Sequence, residues 1–283
     1  MNGPPDRSGE IVAVSPGYLG GPGDPDAALD TFLDAHPDWS RYRPGAGETT
    51  VAVSDCLLGR IQLDHEPDSR GIRWTIAAYT SPVGERSWKA EFDTRTPHEV
   101  VLVVACQLAF ALAQPAPAQR DSALWGSDRL PALLTRAAEA GWRWRDTAAD
   151  DETALQAPDG TAGLTLREGH ERITGFEDSD GLPVACTLWA GPADRPDRQW
   201  KGTFTAATPT TLLAAALSEL TDPHPALRTT DQIPEAHRAL VGITPRPRRT
   251  AAAARGAQAR SPDAGATPAA APVAASNRGR PSR

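Results

Sequence analysis

Trp88-Lys89-Ala90-Glu91-Phe92 runs through Asp93-Thr94-Arg95 into Thr96-Pro97, and the same frame returns as Trp200-Lys201-Gly202-Thr203-Phe204, running to Thr208-Pro209. The shared pattern is W-K-x-x-F-x-x-x-T-P, and an apolar run follows each copy. Lys89 and Lys201 are the only two lysines in the chain, and each directly follows the tryptophan. A repeat this specific marks two copies of one domain. It names no activity.

Working back from the first copy, short alternating segments precede it. Thr49 to Ser54, Gly59 to His65, Ile72 to Thr80 and Arg86 to Phe92 each place apolar side chains on one face at period two. Such segments, with turns between them, predict an antiparallel meander. Asp24-Pro25 opens a helix carrying Leu29, Phe32 and Leu33, which ends before Pro37; Trp39 then anchors the core. Ile11 to Val14 is a further short strand.

Forward of the motif, Thr96-Pro97-His98-Glu99 has the form of a capping box, with Thr96 as N-cap. Val100 to Val104 suits a strand or a helix. Thr211 to Leu217 of the second copy, rich in Leu and Ala, decides for a helix in both. Thr96 and Thr208 are then read as helix caps worth about 1 kcal/mol each.

The second copy matches the first at an offset of 103 residues from Trp142 to Leu166 and of 112 at Trp200. The growth falls chiefly in Glu168 to Gly181, a loop. The predicted fold is therefore α+β, a tandem repeat of two α-β-β-β-β-α domains, each an antiparallel sheet with helices packed on one face. The expected divisions are a disordered N-terminus over 1–10, a first domain over 11–114, a linker over 115–123, a second domain over 124–243 and a disordered tail over 244–283. The two copies are expected to associate through their apolar C-terminal helices.

A length of 283 residues suits two domains. No run of 18 apolar residues predicts a membrane helix, and Met1 to Glu10 lacks the apolar core of a signal peptide. Cys56, Cys106 and Cys186 are odd in number and far apart, which disfavours a disulfide framework or a zinc site. A cytoplasmic location is expected. From Thr244 onward the chain holds eight Arg and one Asp, so with a total charge of −7 the residues before it carry about −14.

Val14-Ser15-Pro16-Gly17-Tyr18-Leu19-Gly20-Gly21 resembles the V-x-P-x-Y-L-A-G opening of the actinobacterial domain-of-unknown-function family 317. W-x-x-x-F-x-x-x-T-P with its apolar helix is similar to that family's closing motif. The resemblance spans residues 11 to about 225 in two copies. It implies the fold above and assigns no activity or site residues. By association alone it suggests mobile-element biology. Gly17 departs from the family pattern, where Arg is expected.

Catalytic motifs are missing from the sequence: there is no G-x-S-x-G, Walker loop or dinucleotide fingerprint. Gly20-Gly21-Pro22-Gly23 before a helix is read as a turn rather than a phosphate cradle. His36, His65, His98, His170, His224 and His237 show no metal spacing, so no metal or cofactor is expected. Trp88, Lys89, Trp200 and Lys201 are the candidate partner surface. The competing reading has the aromatics filling the core and the lysines in solvent. Arg246, Arg248, Arg249, Arg255 and Arg260 are the candidate nucleic-acid contacts. The leading expectation is a non-enzymatic protein-interaction module. The alternatives are a nucleic-acid accessory protein using its basic tail, and an enzyme with a site between the copies.

Overall fold

The computed structural model describes residues 9–45, 47–67, 69–115, 130–146, 152–167 and 184–246. The chain order is β1 (Ile11–Ser15), α1 (Pro25–Ala35), β2 (Trp39–Tyr42), β3 (Thr49–Ser54), β4 (Gly59–Asp64), β5 (Ile72–Tyr79), β6 (Arg86–Asp93) and α2 (His98–Leu112). It continues as α3 (Leu130–Glu139), β7 (Arg143–Asp146), β8 (Glu152–Gln156), β9 (Ala162–Arg167), β10 (Val184–Ala190), β11 (Trp200–Thr205), α4 (Thr210–Leu220), β12 (Ala226–Thr229) and β13 (Gly242–Pro245).

The fold is α+β, and each copy carries five strands where four were expected. The extra ones are β2 and β7, which pair antiparallel with β3 and β8. They are four-residue outer strands, and their exposed Ser40, Arg41 and Tyr42 or Arg143, Trp144 and Arg145 carry no alternation of apolar side chains. An outer strand is solvated on most sides, so the period-two signal that revealed its neighbours is lost.

The ten strands form one continuous antiparallel sheet in the order β2-β3-β4-β5-β6-β11-β10-β9-β8-β7. The expected helix contact is present, since α2 packs against α4. The strands also join: β6 pairs with β11 through Phe92 with Gly202, Glu91 with Thr203 and Ala90 with Phe204. Residues 112 positions apart in the repeat exchange places across this pairing, so a local pseudo-two-fold axis passes between Glu91 and Thr203.

The four helices among the described residues contribute to a single core on one face of the sheet. Leu29 and Phe32 of α1, Val104 and Leu108 of α2, Ala137 of α3, and Leu213 and Leu217 of α4 meet Trp74, Trp88, Phe92, Leu188, Trp200 and Phe204 from the strands. Asp24 caps α1, its carboxylate accepting from Ala27 N at 3.1 Å. A second sheet, β12-β1-β13, closes the described chain upon itself. Thr244 and Pro245 pair with Ala13 and Val12 there, so the ordered chain extends past the expected start of the tail at Thr244. Residues 1–8, 116–129 and 247–283 lie outside the described residues, as do the expectations that fall on them. Among the described residues no helix is long and apolar enough to cross a membrane.

Candidate functional site

The repeated motif sits on the pseudo-two-fold axis, and its polar residues reach across it. Lys201 N donates to Asp93 Oδ2 at 3.0 Å, while the Thr96 hydroxyl lies 3.3 Å from the Lys201 carbonyl and 3.0 Å from Asp93 Oδ1. In the opposite direction Lys89 N donates to Thr205 Oγ1 at 3.0 Å. The hydroxyls of Thr205 and Thr208 lie 3.3 and 3.4 Å from the Lys89 carbonyl. Asp93 and Thr205 are equivalent positions, as are Thr96 and Thr208. Each copy thus holds the backbone N–H and C=O of its sister's lysine. The strand pairing ends here, and side chains satisfy groups that burial would otherwise leave unpaired.

This geometry corrects the reading of Thr96 and Thr208 as helix caps. Pro97 and Pro209 stand at the cap positions, and neither helix has a side-chain cap bond. The threonine hydroxyls have partners in the other copy instead. Asp93 completes the clasp by accepting from Arg95 N at 3.0 Å. Burial raises the Asp93 carboxyl above its ordinary value and outweighs the opposing pull of its hydrogen bonds and of Arg95.

The candidate surface of Trp88, Lys89, Trp200 and Lys201 is divided by the structure. Trp88 and Trp200 are fully buried, as a core reading requires, and the Trp200 indole N–H donates to the Tyr18 carbonyl at 2.8 Å. Lys89 is only 1% exposed, and its Nζ lies 2.8 Å from Glu91 Oε1. These three side chains offer no exposed surface, and the expectation of two solvated lysines fails at Lys89. Its acid partner lies two residues away, on the same face of the strand. Lys201 is exposed, and the position matching Glu91 in its copy is Thr203. Arg246 is exposed at the end of the described chain, whereas Arg248, Arg249, Arg255 and Arg260 lie outside the described residues.

The face of the sheet away from the helices carries Arg60, Gln62, Thr75, Tyr79, Lys89, Glu91, Thr187, Trp189, Lys201 and Thr203, by the alternation that sends Ile61, Ile76, Leu188 and Phe204 into the core. Arg60 lies over the Tyr79 ring at 4.3 Å. Trp189 pairs with Gly163, and a Cβ at Gly163 would stand 2.3 Å from the Trp189 ring. The indole therefore occupies the space of the missing side chain.

A separate cleft of about 330 Å³ lies where α2 begins and α4 ends, lined by Tyr18, His98, Glu99, Glu219, His224 and Arg228 among others. Arg228 directs its guanidinium to both Glu99 oxygens at 2.7 and 2.6 Å and to the carbonyls of Gly21 and Leu227. All five of its N–H donors are used. Burial pushes the Glu99 carboxyl up, but the bonds and charge of Arg228 and the charge of His98 bring it below its ordinary value. Glu219 is raised by burial and by the nearby Glu99 and Asp222. The network straps the V-x-P-x-Y-L-x-G segment and β12 to α2. Gly21 permits the close approach: at φ +85° a Cβ there would lie 2.6 Å from the Gln232 carbonyl oxygen.

Sequence reasoning missed the clasp residues Asp93, Thr96, Thr205 and Thr208 as a set. The available signal was that both equivalent pairs carry oxygen acceptors at matching places in the motif. Among the described residues no three His, Cys, Asp or Glu side chains converge as a metal ion would need. The cysteines Cys56, Cys106 and Cys186 are free thiols, and burial pushes the Cys186 thiol well up.

Comparison with known families gives a match in two segments. The model described as "SPDY: Domain of unknown function (DUF317)" matches residues 58–118 and 156–226. Those segments span β4 to just past α2, and the end of β8 to the start of β12, each including one copy of the clasp. No curated protein and no solved structure matches the chain.

Proposed function

Because the chain belongs to the DUF317 family, in two tandem copies, and that description names no activity, we propose that it is a non-enzymatic protein-interaction module that binds through the open face of its ten-stranded sheet. One observation carries this reading: the helices and the core occupy one face, while the other bears polar and aromatic side chains with no described helix over it; Lys201 is exposed there and Arg60, Trp189 and Thr203 are half-buried, whereas Ala77, Lys89 and Glu91 are buried. The repeated motif, the most specific feature of the sequence, is used to join the copies. Two of the cleft's charged residues, Glu99 and Arg228, are committed to the strap that holds β12 and the Tyr18 segment to α2, which weighs against their acting as free catalytic groups. A charge of about −14 before the tail opposes contact with a polyanion.

The test is capture from the extract of the producing cells, using the full chain, an Arg60→Glu/Thr203→Arg variant on the open face and a Phe110→Ser variant on the exposed outer side of α2. The expected result is a protein retained at stoichiometric level by the parent and by Phe110→Ser, and lost by the open-face variant. Retention by all three, or by none, contradicts the proposal.

A further inference from the structure

Across the open face, the rows through the two lysines differ in a way that the repeat makes easy to read. In the first copy the row runs Arg60, Ala77, Lys89; in the second it runs Gly163, Trp189, Lys201. These are equivalent positions in the repeat. In one half the large side chain is on β4 and the small one on β5. In the other the large side chain has moved to β10 and the small one to β9. Lys89 is buried with Glu91, whereas Lys201 is exposed and stands directly beside Trp189 on the same face.

The consequences are chemical. With its ring atoms in the space a Gly163 side chain would fill, the indole cannot leave the sheet without opening a void there. It is half-buried, and its accessible part can meet an apolar or aromatic group. An adjacent lysine with its Nζ in water supplies a movable positive charge one strand away. Arg95, 44% exposed at its side chain, is paired with Asp93 at 3.8 Å and donates to the Asp197 carbonyl, so Lys201 is the cation considered for this row. Asp93, whose carboxylate accepts from the Lys201 backbone, is committed to the clasp through Lys201 N, Arg95 N and Thr96. An aromatic plate beside a free cation suits a ligand that pairs an aromatic or apolar side chain with a carboxylate.

We propose that Trp189 and Lys201 form the recognition spot of the open face, and that it takes a segment of a partner protein carrying an aromatic or large apolar residue next to an Asp or Glu. This rests on the interaction reading above and names the chemistry of the partner. A peptide carboxylate is favoured over a nucleic acid because one negative charge is repelled far less than a polyanion by a chain of net charge −7. The first copy cannot present the same spot, since Ala77 offers no ring and Lys89 is buried.

The experiment is selection of a random heptapeptide phage library on the immobilised full chain. The enriched peptides are then measured against the parent, Lys201→Gln, Trp189→Leu and Arg60→Glu. Lys201→Gln changes an exposed side chain, so it keeps the test valid if Trp189→Leu disturbs folding. Enriched sequences pairing an aromatic or large apolar residue with Asp or Glu, weakened at least tenfold by Lys201→Gln and little by Arg60→Glu, support the inference. Peptides that bind the parent and Lys201→Gln alike but lose affinity with Arg60→Glu overturn it while sparing the open-face reading. No enrichment overturns both. Binding of a labelled ten-residue oligo-dT that depends on Lys201 also overturns it, in favour of a nucleic acid.

Discussion

Lys89 and Lys201 occupy the same place in the same motif, yet one is buried in an ion pair and the other stands in water. Their backbones do the same work. Each gives its N–H and C=O to the sister copy, one to Asp93 and Thr96, the other to Thr205 and Thr208. The difference lies one residue pair away, where Glu91 faces Thr203 across the axis. Two identical glutamates directly opposite would repel. The glutamate on one side and the threonine on the other remove that conflict and leave one lysine with an acid and one without. The backbone clasp is thus symmetric between the copies, while the two lysine side chains differ.

The comparison can be broken at several depths. The largest effect is expected in the shared core of the seam. Phe92 and Phe204 meet edge to face, with ring centroids 5.6 Å apart. Phe92→Ala and Phe204→Ala should each cost about 3–5 kcal/mol in urea unfolding, and by similar amounts if the seam is symmetric. A large cost at only one of them would show that one copy holds the fold alone.

Next comes the lysine pair. Lys89→Met leaves Glu91 buried without that charge and should cost about 3 kcal/mol, whereas Lys201→Met should stay within about 0.5 kcal/mol. Equal costs would erase the distinction between the halves. The hydroxyl pair sharpens the symmetric part. Thr96→Val and Thr208→Val should each lose about 1 kcal/mol, with little change in isolated helix capping. If either were a cap, replacement by Asp would preserve stability; as clasps on a carbonyl oxygen, a carboxylate that cannot donate should not.

The smallest effect is in pH dependence, and it separates Asp93 from its equivalent, Thr205. The Asp93 carboxyl is raised above 3.8 in the folded chain. The native state therefore binds this proton more tightly than the unfolded state does. Asp93's contribution to stability is greatest below its unfolded value and declines as pH rises through the folded one. Asp93→Thr should abolish that decline. Glu99 has the opposite sign: its carboxyl is lowered below 4.5, so its contribution is present above that value and is lost as pH falls through the folded one. Glu99→Gln should flatten the acid limb that Asp93→Thr leaves intact.

Much of the fold was legible because period-two alternation and the repeat reinforced each other. The ambiguous Val100 to Val104 is helix, as its equivalent in the second copy required. The outer strands β2 and β7 escaped because solvent on both sides removes the alternating pattern. The strand β13 escaped because Thr244 and Pro245 belong by composition to the tail, and only pairing with β1 orders them. The clasp escaped for a different reason. Thr96-Pro97-His98-Glu99 fits a capping box, and a local motif cannot reveal a hydroxyl partner 105 residues away. The burial of Lys89 was readable in principle, since Lys89-x-Glu91 on a strand places both charges on one face and Lys201-x-Thr203 does not. The Trp189 plate needed the register, because nothing in the sequence around Gly163 says which ring lies over it.

The most direct test of the clasp is amide hydrogen exchange at Lys89 and Lys201 in the intact chain, followed by NMR. Both amides should exchange only with global unfolding. Asp93→Ala should speed Lys201 selectively, and Thr205→Ala should speed Lys89 selectively. Rapid exchange at both positions in the parent, or a variant that speeds only amides of its own copy, would contradict a clasp that works across the axis.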